Sequence, residues 1–172
     1  SIVHAMKQRT EAYLREQGRS WGEVKLGEGS IRDVEFVTQF LQLANGELRP
    51  SVLNENTLEA LTALYTQGLL PYHDYRILKD GYVFLRAIEH HLQMMHYQQQ
   101  HTLPDSSQAL LGLARRLGFG GDDAGERFTW RYQQYKAAVR GVYLRYMSGD
   151  EAVSKPMAPV EDIAVDDISS HI

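Results

Sequence analysis

Between Tyr72 and Gln99 the chain sets Tyr75, Leu78, Tyr82, Leu85, Leu92 and Met95 at three-, four- and seven-residue steps, the spacing that lines one face of an α-helix. At 1.5 Å per residue the run makes a helix of roughly 40 Å, the longest element the sequence specifies. Gly81 weakens its middle, because glycine is a poor helix former. Further helix signals flank it. Residues 2–17 read as a helix stopped by Gly18, and 30–45 as one stopped by Asn45-Gly46. Residues 56–67 read as a third, with Asn56 as cap, Glu59 three residues on and Gly68 as the stop. Asp105 or Ser106 caps a short helix through Leu117, and Asp122 or Asp123 caps a last one carrying Phe128, Trp130, Tyr132, Tyr135, Val139, Val142, Tyr143 and Tyr146. The fold expected is all-α, a helical bundle of about six helices with one short extended segment near residues 21–27. There Val24 and Leu26 alternate, in a pattern suited to an edge strand for a sheet outside this chain. In the last helix Arg131, Lys136, Arg140 and Arg145 are expected mostly opposite the aromatic stripe, the pattern of a core helix. A base-stacking platform would pair its rings with a basic groove.

The 43% hydrophobic and 23% charged content of these 172 residues suits one soluble domain with a core. There is no cysteine, which excludes disulfides and thiolate chemistry, and no apolar run long enough to cross a bilayer. A cytoplasmic protein is expected. The net charge of −4 is concentrated at the end. Residues 150–172 hold Asp150, Glu151, Glu161, Asp162, Asp166 and Asp167 against Lys155 alone, so the rest carries about +1. A near-neutral body argues against nucleic-acid binding, which needs clustered cations. Residues 1–148 are expected to form the domain and 149–172 an acidic, flexible linker or tail.

The densest stretch is Lys25-Leu26-Gly27-Glu28-Gly29-Ser30-Ile31-Arg32-Asp33-Val34-Glu35-Phe36. Gly27 and Gly29 open backbone angles closed to other residues. Ser30 suits the cap of a helix opening at Ile31, with Asp33 at its third position favoured by the helix dipole. Asp33 and Glu35 are not expected to bind metal: two residues apart on a helix, they diverge. Arg32 and Glu35 can pair locally, worth a few tenths of a kcal/mol, which does not require the whole motif. They are expected instead to make contacts between domains, with the glycines allowing close approach. His90, His91, His96 and His101 with Glu89 lack the three- or four-residue spacing of a compact helical metal site, and no metal is expected. Arg86 and Glu89 stand three apart and can also pair.

The motif resembles the Lys-Leu-Gly-x-Gly-Gly-Ile-Arg-Asp/Glu-x-Glu-Phe opening of the helical domain that follows each nucleotidyltransferase domain in glutamine synthetase adenylyltransferases. Here Ser30 replaces the second glycine of the pair. Two downstream segments are also similar to that family, in the same order: Leu85-Arg86-Ala87-Ile88-Glu89-His90-His91-Leu92-Gln93 and Gln99-Gln100-His101-Thr102-Leu103-Pro104. PII uridylyltransferases carry a related domain, with a motif nearer Lys-x-x-x-Gly-Gly-Leu-Arg-Asp. The resemblance implies a bacterial parent enzyme that uses ATP and magnesium to move an adenylyl group onto glutamine synthetase, and removes it again. It also implies PII control of nitrogen assimilation. None of that family's metal-binding Asp-x-Asp residues occurs here, so no catalytic residue and no cofactor is assigned to this chain. The domain is expected to position the catalytic domain or the protein substrate, and to be inert alone. Lys25, Gly27, Gly29, Arg32, Asp33 and Glu35 are its candidate functional residues, with Arg86, Glu89 and Gln93 as a secondary motif. A stand-alone helical interaction module is the alternative from another class.

Overall fold

The computed structural model describes residues 2–18, 21–96 and 101–148. The tail expected at 149–172 lies outside them. The described residues form six α-helices: α1 (Ile2–Glu16), α2 (Ile31–Asn45), α3 (Thr57–Thr66), α4 (Tyr72–His96), α5 (Ser107–Arg116) and α6 (Ala124–Met147). One 3-10 turn, Pro50–Val52, lies between α2 and α3. Local chemistry accounts for most boundaries. The Asn56 side chain accepts from the Leu58 and Glu59 N–H groups, and Ser106 from that of Ala109, so the α3 and α5 N-termini are satisfied by their caps. Asp123 holds the cap position of α6 without such a bond.

The antiparallel pair α4 and α6 forms the spine, with Asp74 beside Arg145 at one end and Phe84 against Tyr135 further along. Gly81 is what allows this approach. A Cβ there would lie 2.7 Å from Val139 Cγ2, so the residue that weakens α4 as an isolated helix lets α6 close on it. The spine joins two apolar clusters. One gathers Leu85, Ile88, Leu92, Leu113, Phe128 and Tyr132 with Val24 and Leu103. The other gathers Val34, Val37, Leu61, Leu64, Leu78, Val139 and Val142.

Two expectations are corrected. The segment around residues 21–27 does not present an edge to an outside sheet: Val24 N–H donates to His101 O at 2.7 Å and Leu103 N–H to Gly22 O at 2.9 Å, around an isolated antiparallel bridge between Glu23 and Thr102. Its polar backbone finds partners within the chain. Of the four α6 cations expected mostly opposite the core, two turn toward it. Arg140 turns toward α1 and α2, where its side chain is 21% exposed, and Arg145 pairs with Asp74. Buried carboxylates on the facing helices draw them in.

Candidate functional site

Gly29 is where the glycine motif meets the bundle. Its φ is +62°, and a Cβ there would lie 2.0 Å from the Lys136 carbonyl oxygen, so only glycine lets α6 pass this close. The start of α2 is capped in an unexpected way. Ser30 occupies the N-cap position, but its side chain makes no cap bond and its Oγ is buried without a partner. The N–H groups it would serve are taken. Arg32 N–H donates to Lys25 O at 3.1 Å and Asp33 N–H to Ser30 O at 3.0 Å, while Ile31 N–H donates to Val24 O at 3.1 Å. The segment preceding the glycines therefore caps α2 with its backbone, and Asp33 reaches back to accept from Gly29 N–H at 2.7 Å.

Asp33 is fully buried, with Lys7 Nζ at 2.6 Å and Arg140 Nη1 at 3.3 Å. The same two cations hold Glu11. Arg140 donates to its two oxygens at 2.9 and 3.0 Å, a bidentate contact, and Lys7 Nζ lies 2.5 Å from Oε1. Glu28 of the motif extends the cluster outward, pairing with Arg15 and lying 3.6 Å from Arg140 Nη2. Lys7, Arg15 and Arg140 thus face Glu11, Glu28 and Asp33, and the charges balance. The two carboxyls shift in opposite directions. Burial raises Asp33 above its ordinary value, against the pull of Lys7, Arg140 and the Gly29 N–H. Burial also acts on Glu11, but the hydrogen bonds and charges of Lys7 and Arg140 prevail and hold it below its ordinary value.

A second polar cluster adjoins the first. Glu89, buried on α4, takes Arg86 Nη1 at 2.5 Å, His101 Nδ1 at 3.1 Å and Lys25 Nζ at 3.4 Å. Buried Glu23 accepts from the Lys25 and Leu26 N–H groups at 3.1 and 3.2 Å, and from Thr102 Oγ1 at 3.3 Å. Three segments distant in sequence, opening at Lys25, Leu85 and Gln99, meet here through Lys25, Glu89 and His101. Gln93 is half-buried one turn beyond Glu89, and Gly27 is buried. Arg32 remains outward, its side chain 43% exposed, 3.7 Å from Glu35 and above the Phe36 ring. Glu35, Tyr82 and Arg86 line a groove of about 550 Å³ that reaches the start of α3.

The arrangement neutralises charge and fixes backbone. It does not suit magnesium, because Asp33 is enclosed by two cations while Glu35 lies outward beside Arg32. Among the described residues no three histidine or acidic side chains gather as a metal site would require, and His91 Nδ1 lies 2.8 Å from Ala87 O. Sequence reasoning missed Lys7, Glu11 and Arg140 as parts of the motif's surroundings. The one signal available was Lys7 and Glu11 at four-residue spacing on one helix face, which equally describes a solvated pair.

The sequence matches the family described as GlnD PII-uridylyltransferase over residues 3–146. Curated relatives carry the name bifunctional glutamine synthetase adenylyltransferase/adenylyl-removing enzyme. The one from Rhodopseudomonas palustris strain TIE-1 is 33% identical over 163 residues, covering 94% of this chain and 16% of the relative. That from Xanthobacter autotrophicus is 41% identical over 127 residues, covering 71% of this chain and 12% of the relative. That from Corynebacterium efficiens is 37% identical over 121 residues, covering 69% and 11%. The chain thus spans less than a fifth of the length of these relatives.

Proposed function

We propose, from the premise that this chain belongs to the GlnD PII-uridylyltransferase family, that it is a non-catalytic helical domain of a bifunctional glutamine synthetase adenylyltransferase/adenylyl-removing enzyme. Its task is to orient a neighbouring nucleotidyltransferase domain, or the protein substrate that domain acts on. The observation that carries this reading is the convergence on buried Glu89 of Lys25, Arg86 and His101 from three separate segments, beside an outward Arg32. The cluster spends its charges on holding backbone, while the outward Arg32 guanidinium, held by a 3.7 Å pair with Glu35, presents a planar face to a neighbour. ATP and magnesium belong to the catalytic domain. Glutamine synthetase and a PII signal protein are the partners of the whole enzyme, which works in the bacterial cytoplasm. Residues 149–172 serve as an acidic linker or tail, and deleting them should move the melting temperature by less than about 4 °C.

Arg32→Ala tests the reading. In the isolated chain it removes one long, exposed ion pair, so unfolding free energy should fall by at most about 0.5 kcal/mol. In the full enzyme a misplacement of about 1 Å can cost on the order of a hundredfold in rate, so adenylyl transfer or removal should drop. Unchanged activity in the full enzyme would reduce the motif to a well-made helix start. The family description also favours a second reading, a domain of a PII uridylyltransferase. Whether the parent enzyme transfers an adenylyl or a uridylyl group separates the two.

A further inference from the structure

α1 is attached to the bundle unlike any other helix. A helix on a core normally turns an apolar stripe inward, yet over residues 5–16 the positions α1 buries are Lys7, Glu11 and Leu14, while Met6 and Tyr13 stay 63% and 58% exposed. Leu14 belongs to neither apolar cluster. What crosses the interface is charge: Lys7 to Asp33, Glu11 to Arg140 and Arg15 to Glu28. One ring supports both cations, since Lys7 Nζ lies 5.1 Å and the Arg140 guanidinium 4.8 Å from the centre of Tyr143. Such contacts lose much less than apolar ones when the interface opens, because water solvates each released charge.

We propose that α1 is a charge-latched arm, which leaves the bundle as a unit while α2–α6 stay folded, and whose latch sits on the motif through Asp33 and Glu28. Asp33 ties the two together, since it holds Lys7 of α1 and the Gly29 N–H at once. Pulling α1 away therefore withdraws a cation from the residue that closes the glycine turn. That a neighbouring domain does the pulling rests on the function proposed above; the latch itself does not, and can fail or stand independently of any enzyme activity.

Native-state amide exchange of the 172-residue chain reads the latch directly, because it resolves partial openings from global unfolding. The amides of Thr10–Leu14 should exchange at least tenfold faster than those of Leu85–Leu92 and Tyr135–Val142 in the unaltered protein. Arg140→Met should speed α1 a further tenfold or more relative to α4. Leu14→Ala, which removes the buried apolar side chain among residues 5–16 of α1, should speed it less than Arg140→Met does. Protection of α1 equal to that of α4 and α6 in the unaltered protein would overturn the proposal, and that comparison needs no variant to fold. So would a Leu14→Ala effect larger than that of Arg140→Met, because apolar packing would then be the attachment.

Discussion

The α4–α6 interface and the seam beneath α1 both exclude water, by opposite chemistry. Between α4 and α6 the contacts are Phe84 on Tyr135 at 5.0 Å, Phe84 on Phe128 at 6.2 Å and Gly81 against Val139. Beneath α1 they are Lys7, Glu11, Asp33 and Arg140, all within 3.3 Å of a partner. An apolar interface is graded: each lost methylene removes its own contacts and leaves the others in place. An ionic interface is conditional. Its members stabilise one another only as a set, and removing one strands its partner as an uncompensated buried charge. The first holds the bundle together, whereas the second positions α1 on α2, α6 and the glycine turn.

The largest effect expected on the apolar side is Phe128→Ala, at about 4 kcal/mol in urea unfolding, since the ring is fully buried among Phe84, Phe119 and Tyr132. A loss below about 1 kcal/mol would show that this cluster is not the centre of stability. Gly29→Ala comes next, at about 3 kcal/mol, combining a left-handed backbone with a Cβ driven against the Lys136 carbonyl. Arg140→Met should cost about 2 kcal/mol, reduced from the fully buried case because the guanidinium keeps some solvent. The sharper form is a double-mutant cycle. Arg140→Met combined with Glu11→Leu should cost less than the two single changes added together, and strict additivity would break the contrast between a conditional and a graded interface.

The smallest effect concerns pH. Glu11 is held below its ordinary value of 4.5, so its ionised form is the one the fold favours. That contribution is fully present above pH 4.5 and is lost as pH falls through the lower, folded value. Asp33 runs the other way. Raised above 3.8, it favours the fold below that pH, and this contribution is lost as pH rises through its folded value. The stability difference between the unaltered protein and Glu11→Gln should therefore narrow as pH drops below 4.5 and stay level above it. A gap that widens on acidification would mean the seam does not favour the Glu11 carboxylate.

Much of the fold was legible because helix signals are local. Asn56 and Ser106 cap where their side chains suggested, and the aromatic stripe of α6 is buried at Phe128, Tyr132, Tyr135 and Tyr143 as its period implied, while Trp130 stays exposed. Gly81 was legible only as a weakness, since its reason is Val139 on another helix. Ser30 misled for a related reason. A serine before a helix is a good cap when N–H groups await it, but here the carbonyls of Val24 and Lys25 arrive first. At the candidate site, the motif residues could be picked out, and so could the local pairs Arg32 with Glu35 and Arg86 with Glu89. The company they keep could not. Glu89 meets Lys25 from 64 positions away, and Asp33 meets Lys7 and Arg140 from opposite ends of the chain.

The sequence by itself therefore determined the helices, their ends and the helical class, because caps, stops and apolar periods act within a turn or two of the chain. Tertiary structure alone decided which charges count. A lysine, a glutamate and an arginine on amphipathic helices read as solvent-facing until the fold buries an aspartate among them. A charge becomes a structural element only once its water is gone and its partner is chosen, and both events happen between helices.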